Sequence, residues 1–165
     1  MKSQIAIGSQ VELVNQPDWA SSETPLIAEF NLKIPNWASN AGQTVVTPAA
    51  IFTAGERGVF EPAKREHPIY FDYLSEKSED VTIDLPPGWQ VGSVPKAQDQ
   101  DLKLVAYSLK DEQSQGTLHL KRRLTIGVGS LEQKYYAPLR AFFQLVRAGD
   151  GEQVVLQPGK IHASD

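Results

Sequence analysis

Thr117-Leu118-His119-Leu120-Lys121-Arg122-Arg123-Leu124-Thr125-Ile126-Gly127-Val128 is the stretch that decides the fold class of this chain. Leu118, Leu120, Leu124, Ile126 and Val128 occupy even positions, while Thr117, His119, Lys121, Arg123 and Thr125 occupy odd ones. Side chains of an extended strand alternate between two faces, so this pattern lays one apolar face on a core and turns a polar face to water. A helical period fits it less well. Arg122 is the exception, because it stands in the apolar row between Leu120 and Leu124. A guanidinium keeps its charge, so burial at that position requires a carboxylate or carbonyl partner. The alternation also divides the basic run Lys121-Arg122-Arg123 between two faces, which reads as structure ahead of a binding patch.

The same period recurs outward from this strand. Leu26, Ala28, Phe30, Leu32 and Ile34 alternate with Glu29, Asn31 and Lys33, as Ile5, Ile7, Val11 and Leu13 do with Gln4, Gln10 and Glu12. Val81, Ile83 and Leu85 repeat it, and further strands are expected over residues 69–73 and 102–109. Pro86-Pro87-Gly88-Trp89 is a turn: Pro87 presets its own φ and Gly88 accepts a positive one. The polar segments 75–80 and 111–116 read as connections between strands, and Asp99-Gln100-Asp101 as a turn. Residues 35–64 read as short strands with long loops. One segment breaks the period. From Pro138, the residues Leu139, Phe142, Phe143 and Val146 fall at helical spacing, with Arg140, Gln144 and Arg147 pointing away. Gly149-Asp150-Gly151 is expected to stop this helix, and residues 153–156 to form a last strand. The expected fold is mainly β, an immunoglobulin-like antiparallel sandwich with one C-terminal amphipathic helix and a short closing strand.

Composition narrows the function classes. The 165 residues suit a single domain with its own core, expected over residues 1–165. The net charge of −4 disfavours nucleic acid, whose phosphates attract basic faces. No apolar run reaches the ~20 residues that a membrane-spanning helix needs, so no membrane insertion is expected. Met1-Lys2-Ser3-Gln4-Ile5 shows no secretory signal pattern. The chain has no cysteine, hence no disulfide, thiolate metal site or cysteine nucleophile.

Catalytic constellations are not evident. Gly127-Val128-Gly129-Ser130 lacks the spacing of a nucleophile elbow. His67, His119 and His162 stand apart from one another, and a hydrolase would need His67 or His119 beside both a carboxylate and a serine. Asp99-Gln100-Asp101 lacks the third ligand and the glycine of a calcium loop, and Gln157-Pro158-Gly159-Lys160 lacks the loop and helix of a phosphate cradle. Catalytic, cofactor-binding and metal residues are therefore expected to be none, with no cofactor. Trp19, Trp37 and Trp89 could form a sugar-stacking platform, although their scatter favours separate core and loop anchors.

Several ordered pieces resemble a known family. They are Pro48-Ala49-Ala50-Ile51-Phe52, then Arg65-Glu66-His67-Pro68-Ile69-Tyr70-Phe71, then Val81-Thr82-Ile83-Asp84-Leu85-Pro86-Pro87-Gly88-Trp89-Gln90-Val91 with Val94-Pro95. Arg122-Arg123-Leu124, Tyr136-Ala137-Pro138-Leu139-Arg140-Ala141-Phe142-Phe143 and Glu152-Gln153-Val154-Val155-Leu156 complete the set. Residues 45 to 157 thus resemble the C-terminal β-sandwich module, a domain of unknown function, of bacterial transglutaminase-like proteins. In that family a papain-like core carries the chemistry. The resemblance implies a non-catalytic accessory or protein-interaction domain, a fragment of a larger multidomain protein. Its expected partner is a catalytic neighbour domain or another protein. It also implies an extracytoplasmic location, periplasmic or secreted. The competing reading is a carbohydrate- or peptide-binding sandwich that uses Trp37 or Trp89.

Overall fold

A computed structural model describes residues 8–35, 37–53 and 59–159 of the chain. Two compact units emerge, Met1–Ser39 and Asn40–Asp165. The first holds a two-stranded antiparallel sheet of β1 (Gln10–Leu13) and β2 (Phe30–Lys33). Ile5 and Ile7 lie outside the described residues. The strand expected over 26–34 is shorter and keeps only Phe30–Lys33. Beyond the Leu13–Phe30 pair, Val14 N–H still donates to Glu29 O at 2.9 Å. The Asn15 side chain then replaces the ladder, donating to Ile27 O and accepting from Glu29 N–H, both at 2.9 Å. A side chain that serves both main-chain groups ends the strand, and Leu26 and Ile27 are exposed.

The remaining elements follow in order: β3 (Ser39–Ala41), β4 (Thr44–Pro48), β5 (Ile69–Tyr70), β6 (Ser75–Asp84), β7 (Trp89–Ser93), β8 (Gln98–Asp101), β9 (Val105–Ser114) and β10 (Thr117–Ile126). After them come β11 (Ser130–Leu131), the helix α1 (Tyr136–Asp150) and β12 (Gln153–Pro158). Two four-stranded sheets form, ordered β6-β10-β9-β8 and β3-β4-β12-β7, with a small pair β11-β5 beside them. The mainly β, antiparallel, sandwich-like fold with a C-terminal helix and a final strand agrees with the reading of the sequence.

The register of β10 shows how the core is divided. Leu118 stands between Ile83 and Gln113, Leu120 between Val81 and Asp111, Arg122 between Glu79 and Leu109, and Leu124 between Lys77 and Tyr107. All these side chains share one face. Its first two rows pack on the second sheet, where Leu118 and Leu120 meet Val154 and Leu156 of β12 with Val45, Trp89 and Val91 around them. The later rows pack under α1: Val105, Tyr107 and Leu109 meet Leu139, Phe142, Phe143 and Val146. One sheet face thus carries two apolar clusters end to end, and Arg122 stands in the row between them.

Four local expectations are corrected by this pairing. Residues 75–80, read as a connection, are the first part of the ten-residue strand β6. Their charges are tolerated because this edge strand faces basic partners, with Asp80 opposite Lys121 and Glu76 3.5 Å from Arg123. Residues 111–116 are likewise mostly ladder, and Ser114 pairs directly with Thr117 across a two-residue turn in which Gly116 adopts φ 79°. Asp99-Gln100-Asp101 belongs to the edge strand β8, and Leu102 to Leu104 form the turn instead. Asp101 Oδ1 accepts from Lys103 N–H at 2.6 Å and holds that turn. The aromatic strand keeps only Ile69 and Tyr70, since β11 offers it two partners.

The helix is longer than its apolar spacing implied, running from Tyr136 to Asp150, and it ends within the expected stop Gly149-Asp150-Gly151, with Gly151 as its cap. Pro138 lies in its first turn, where no N–H is needed. Tyr136, Leu139, Phe142, Phe143, Val146 and Gly149 form its buried stripe. Each large apolar side chain buried there contributes about 1.5–3 kcal/mol, and those contacts hold a helix this short.

Candidate functional site

The seam between the two clusters is polar. Arg122 is 4% exposed, and its partner is Asp150 in the last turn of α1. Arg122 Nε donates to Asp150 Oδ1 at 2.9 Å and Nη2 to Oδ2 at 2.8 Å, a two-point fork-to-carboxylate contact. The carboxylate partner that the sequence demanded is present. Tyr107 donates its hydroxyl to the same Oδ1 at 2.9 Å, and its ring lies 5.6 Å from the Arg122 guanidinium carbon. Next to Arg122 in the same row, Glu79 accepts from Phe52 N–H at 3.1 Å and from Thr53 Oγ1 at 2.8 Å. This polar belt ties β6, β9, β10 and the end of α1 together. Arg122 Nη1, Thr47 Oγ1 and Gln98 Oε1 are buried without a hydrogen-bond partner among the described residues.

Electrostatics follow from this geometry. Burial pushes the Tyr107 phenol well above its ordinary range, and the Asp150 carboxylate beside it adds to the shift. For Arg122, burial opposes the charge, yet the hydrogen bonds and attraction of Asp150 outweigh it and the guanidinium pKa rises. Tyr107 gives a prediction with a definite sign. An unfolded tyrosine ionises near pH ~10, while the folded one stays protonated. Above that pH the unfolded chain has lost a proton that the native chain keeps, so stability falls as pH rises. Below it, Tyr107 adds no pH dependence. Urea midpoints measured from pH 8 to 11 should decline more steeply for the native sequence than for Tyr107→Phe.

The end of α1 explains why Gly149 lies inside a helix. A Cβ at Gly149 would stand 2.6 Å from the Tyr107 hydroxyl oxygen and 3.1 Å from the Gln98 side-chain nitrogen. Alanine is worth about 1 kcal/mol over glycine within a helix, but overpacking a buried site costs about 1–3 kcal/mol. Gly149→Ala should therefore destabilise in a urea titration. In a Tyr107→Phe background the closest atom is gone, and most of that loss should disappear.

Above the belt opens a cavity of about 830 Å³. Arg122, Leu124 and Ile126 of β10 line it together with Phe143, Val146, Arg147 and Asp150 of α1. Ser75 and Lys77 of β6 and the segments 59–61 and 70–72 complete its walls. Phe60 makes ring contacts with Phe71 (5.9 Å) and Phe143 (5.0 Å). Arg147 Nη1 lies 3.5 Å from Glu61 Oε1.

The residues weighed for catalysis do not meet at this cavity. His119 contacts Thr82 Oγ1 at 3.1 Å on the outer face of the sheet. His67 contributes a main-chain carbonyl, which accepts from Arg65 Nε at 3.1 Å. His162 lies outside the described residues. Among the tryptophans, Trp89 packs against the sheet-to-sheet cluster, whereas Trp19 and Trp37 belong to the first unit, Trp19 exposed and Trp37 half-buried. Tyr107 and Asp150 were not singled out from the sequence. Tyr107 shares the inward parity of Val105 and Leu109, and a buried tyrosine needs a partner. Asp150 follows Val146 by one helical turn on the apolar stripe, the position from which a carboxylate meets Arg122.

No curated protein matches the chain. A solved structure from Parabacteroides distasonis ATCC 8503, described as a "putative protease", shares the fold with a TM-score of 0.57 at 12% identity. The similarity covers 69% of this chain and 23% of that one. Residues 43–156 match the family model described as a Domain of Unknown Function with solved-structure structure. That span runs from β4 into β12 and includes the whole Arg122–Asp150–Tyr107 cluster, so the chain belongs to the DUF3858 family.

Proposed function

We propose that this chain is a non-catalytic accessory or protein-interaction domain of a longer protein. The observation that carries this reading is the proportion in the structural similarity: the fold accounts for 23% of the Parabacteroides distasonis chain, so there it is one part among others. The site chemistry is consistent with the same role. Arg122, Asp150 and Tyr107 satisfy one another and tie a helix to a sheet, and none is left poised as nucleophile or base. The finer reading is an immunoglobulin-like module beside a papain-like, transglutaminase-like core of an exported protein. It rests on the sequence resemblance of the 81–91 turn unit and the 136–143 helix.

Two measurements test it. The purified chain, assayed with peptide, ester and amine-incorporation substrates, should give no turnover above buffer; turnover abolished by His67→Ala or His119→Ala would overturn the non-catalytic role. Sequencing the coding region upstream of Met1 should reveal an in-frame papain-like core. A stop codon there would overturn the transglutaminase-like parentage.

A further inference from the structure

We propose that Asp150-Gly151 is a modification site gated by the fold: clamped by Arg122 and Tyr107 it stays aspartate, and in the unfolded chain it converts to isoaspartate, which keeps the chain from refolding. It is the one Asp-Gly or Asn-Gly pair in the sequence. Glycine matters because it has no Cβ to crowd its own nitrogen and leaves the backbone free to turn. The reaction is an internal substitution. The Gly151 main-chain nitrogen bonds to Asp150 Cγ, and the hydroxyl of the protonated carboxyl leaves with the amide proton as water, closing a five-membered succinimide. Water then opens the ring at either carbonyl. Cleavage of the bond from nitrogen to Cγ restores aspartate, and cleavage at the former main-chain carbonyl gives isoaspartate. No electrons are exchanged and the net composition is unchanged.

The folded chain blocks each requirement of that reaction. Arg122 Nε holds Asp150 Oδ1 at 2.9 Å, Arg122 Nη2 holds Oδ2 at 2.8 Å, and the Tyr107 hydroxyl holds Oδ1 at 2.9 Å. Cγ is therefore tied to β9 and β10 and cannot swing to the Gly151 nitrogen. The Asp150 side chain is 13% exposed, which limits the water that must leave and return. Asp150 is also the last residue of α1. Ring closure needs Cβ nearly eclipsed with the next nitrogen about the Cα–C bond, and a helical ψ of about −42° does not offer that. The nucleophile is occupied as well, because Gly151 N–H donates to Arg147 O at 3.1 Å.

The product cannot rebuild the clamp. In isoaspartate the main chain runs through Cβ and Cγ and is one atom longer, while the free carboxylate sits directly on Cα, one methylene shorter. The last turn of α1 then no longer presents a carboxylate where Arg122 needs it. That guanidinium is buried and loses its partner. Unfolding thus becomes one-way for any chain that reacts before it refolds. This goes beyond the accessory role and does not depend on it, since it concerns how long the domain survives and not what it binds.

The test is incubation of the full chain for weeks at neutral pH, in buffer and in concentrated guanidinium chloride. Isoaspartate is located by isoaspartyl methyltransferase labelling and by fragment-ion mass spectrometry of the peptide spanning residue 150. It should accumulate there at least tenfold faster in denaturant than in buffer. Gly151→Ala, compared in denaturant where no fold is needed, should slow it at least tenfold. Once the denaturant is removed, the refolded fraction should be depleted of isoaspartate at position 150 relative to the fraction that stays unfolded. In buffer, Tyr107→Phe and Arg122→Lys, each shown to be folded by circular dichroism, should react faster than the native sequence. Equal rates in buffer and denaturant, an undiminished rate in Gly151→Ala, or isoaspartate equally frequent in refolded chains would overturn the inference. Native-like protection in both folded clamp variants would refute the clamp as the gate.

Discussion

Replacing Asp150 with alanine is expected to lower stability by about 3–5 kcal/mol, read as a shift in the urea midpoint at unchanged slope. The size follows from what is left behind. Arg122 is 4% exposed and cannot deprotonate, so without Asp150 it becomes a buried charge with two donors orphaned. The Tyr107 hydroxyl loses its acceptor at the same time. Asp150→Asn keeps the shape and an acceptor oxygen but not the charge, and should lose less. The pair can be separated from its desolvation cost by removing the whole cluster. Arg122→Met with Asp150→Leu and Tyr107→Phe leaves no orphaned group, and replacing a buried ion pair by apolar residues is often neutral or stabilising. That triple variant should recover most of the loss. If it is as unstable as Asp150→Ala alone, the cluster holds the fold by its shape and not by its charge.

Phe142→Ala is expected to cost about 3–5 kcal/mol. Phe142 is buried on the helix stripe and meets Phe143 edge to face, with ring centres 5.3 Å apart. It packs in the cluster that joins α1 to β9, so its loss both opens a cavity and weakens the docking of the helix. Phe142→Leu should cost far less, because most of the volume remains. Tyr135→Ala, at the exposed start of the helix, should stay within about 0.5 kcal/mol. Helix content followed by circular dichroism should melt together with the sheet in all three variants if α1 and the sheet are one cooperative unit.

How much of this was legible in the sequence depends on the range of the interaction. The face of β10, the apolar stripe of α1 and the turn at Pro86 to Gly88 were readable because each is set by residues within a few positions of one another. The segment 75–80 was misread because its polarity is that of a loop, and only the partner strand shows why it is extended. Lys121 and Arg123 accept its charges from more than forty positions away. The strand at 102–104 failed for the opposite reason: Leu102 and Leu104 have the right parity but are exposed in a turn, where Lys103 adopts φ 68°.

The sequence by itself determined a β-rich chain with one C-terminal helix, and it determined that Arg122 must be buried beside an acceptor. Alternation of side chains is a local property of extended backbone, and a guanidinium in an apolar row cannot shed its charge. Only the tertiary structure decided that the acceptor is Asp150, that Tyr107 shares it, and that the row holding Arg122 divides two apolar clusters. It alone opened the cavity above them. Those outcomes depend on where the last turn of α1 lands on β9 and β10, a placement set by packing between elements far apart in the chain.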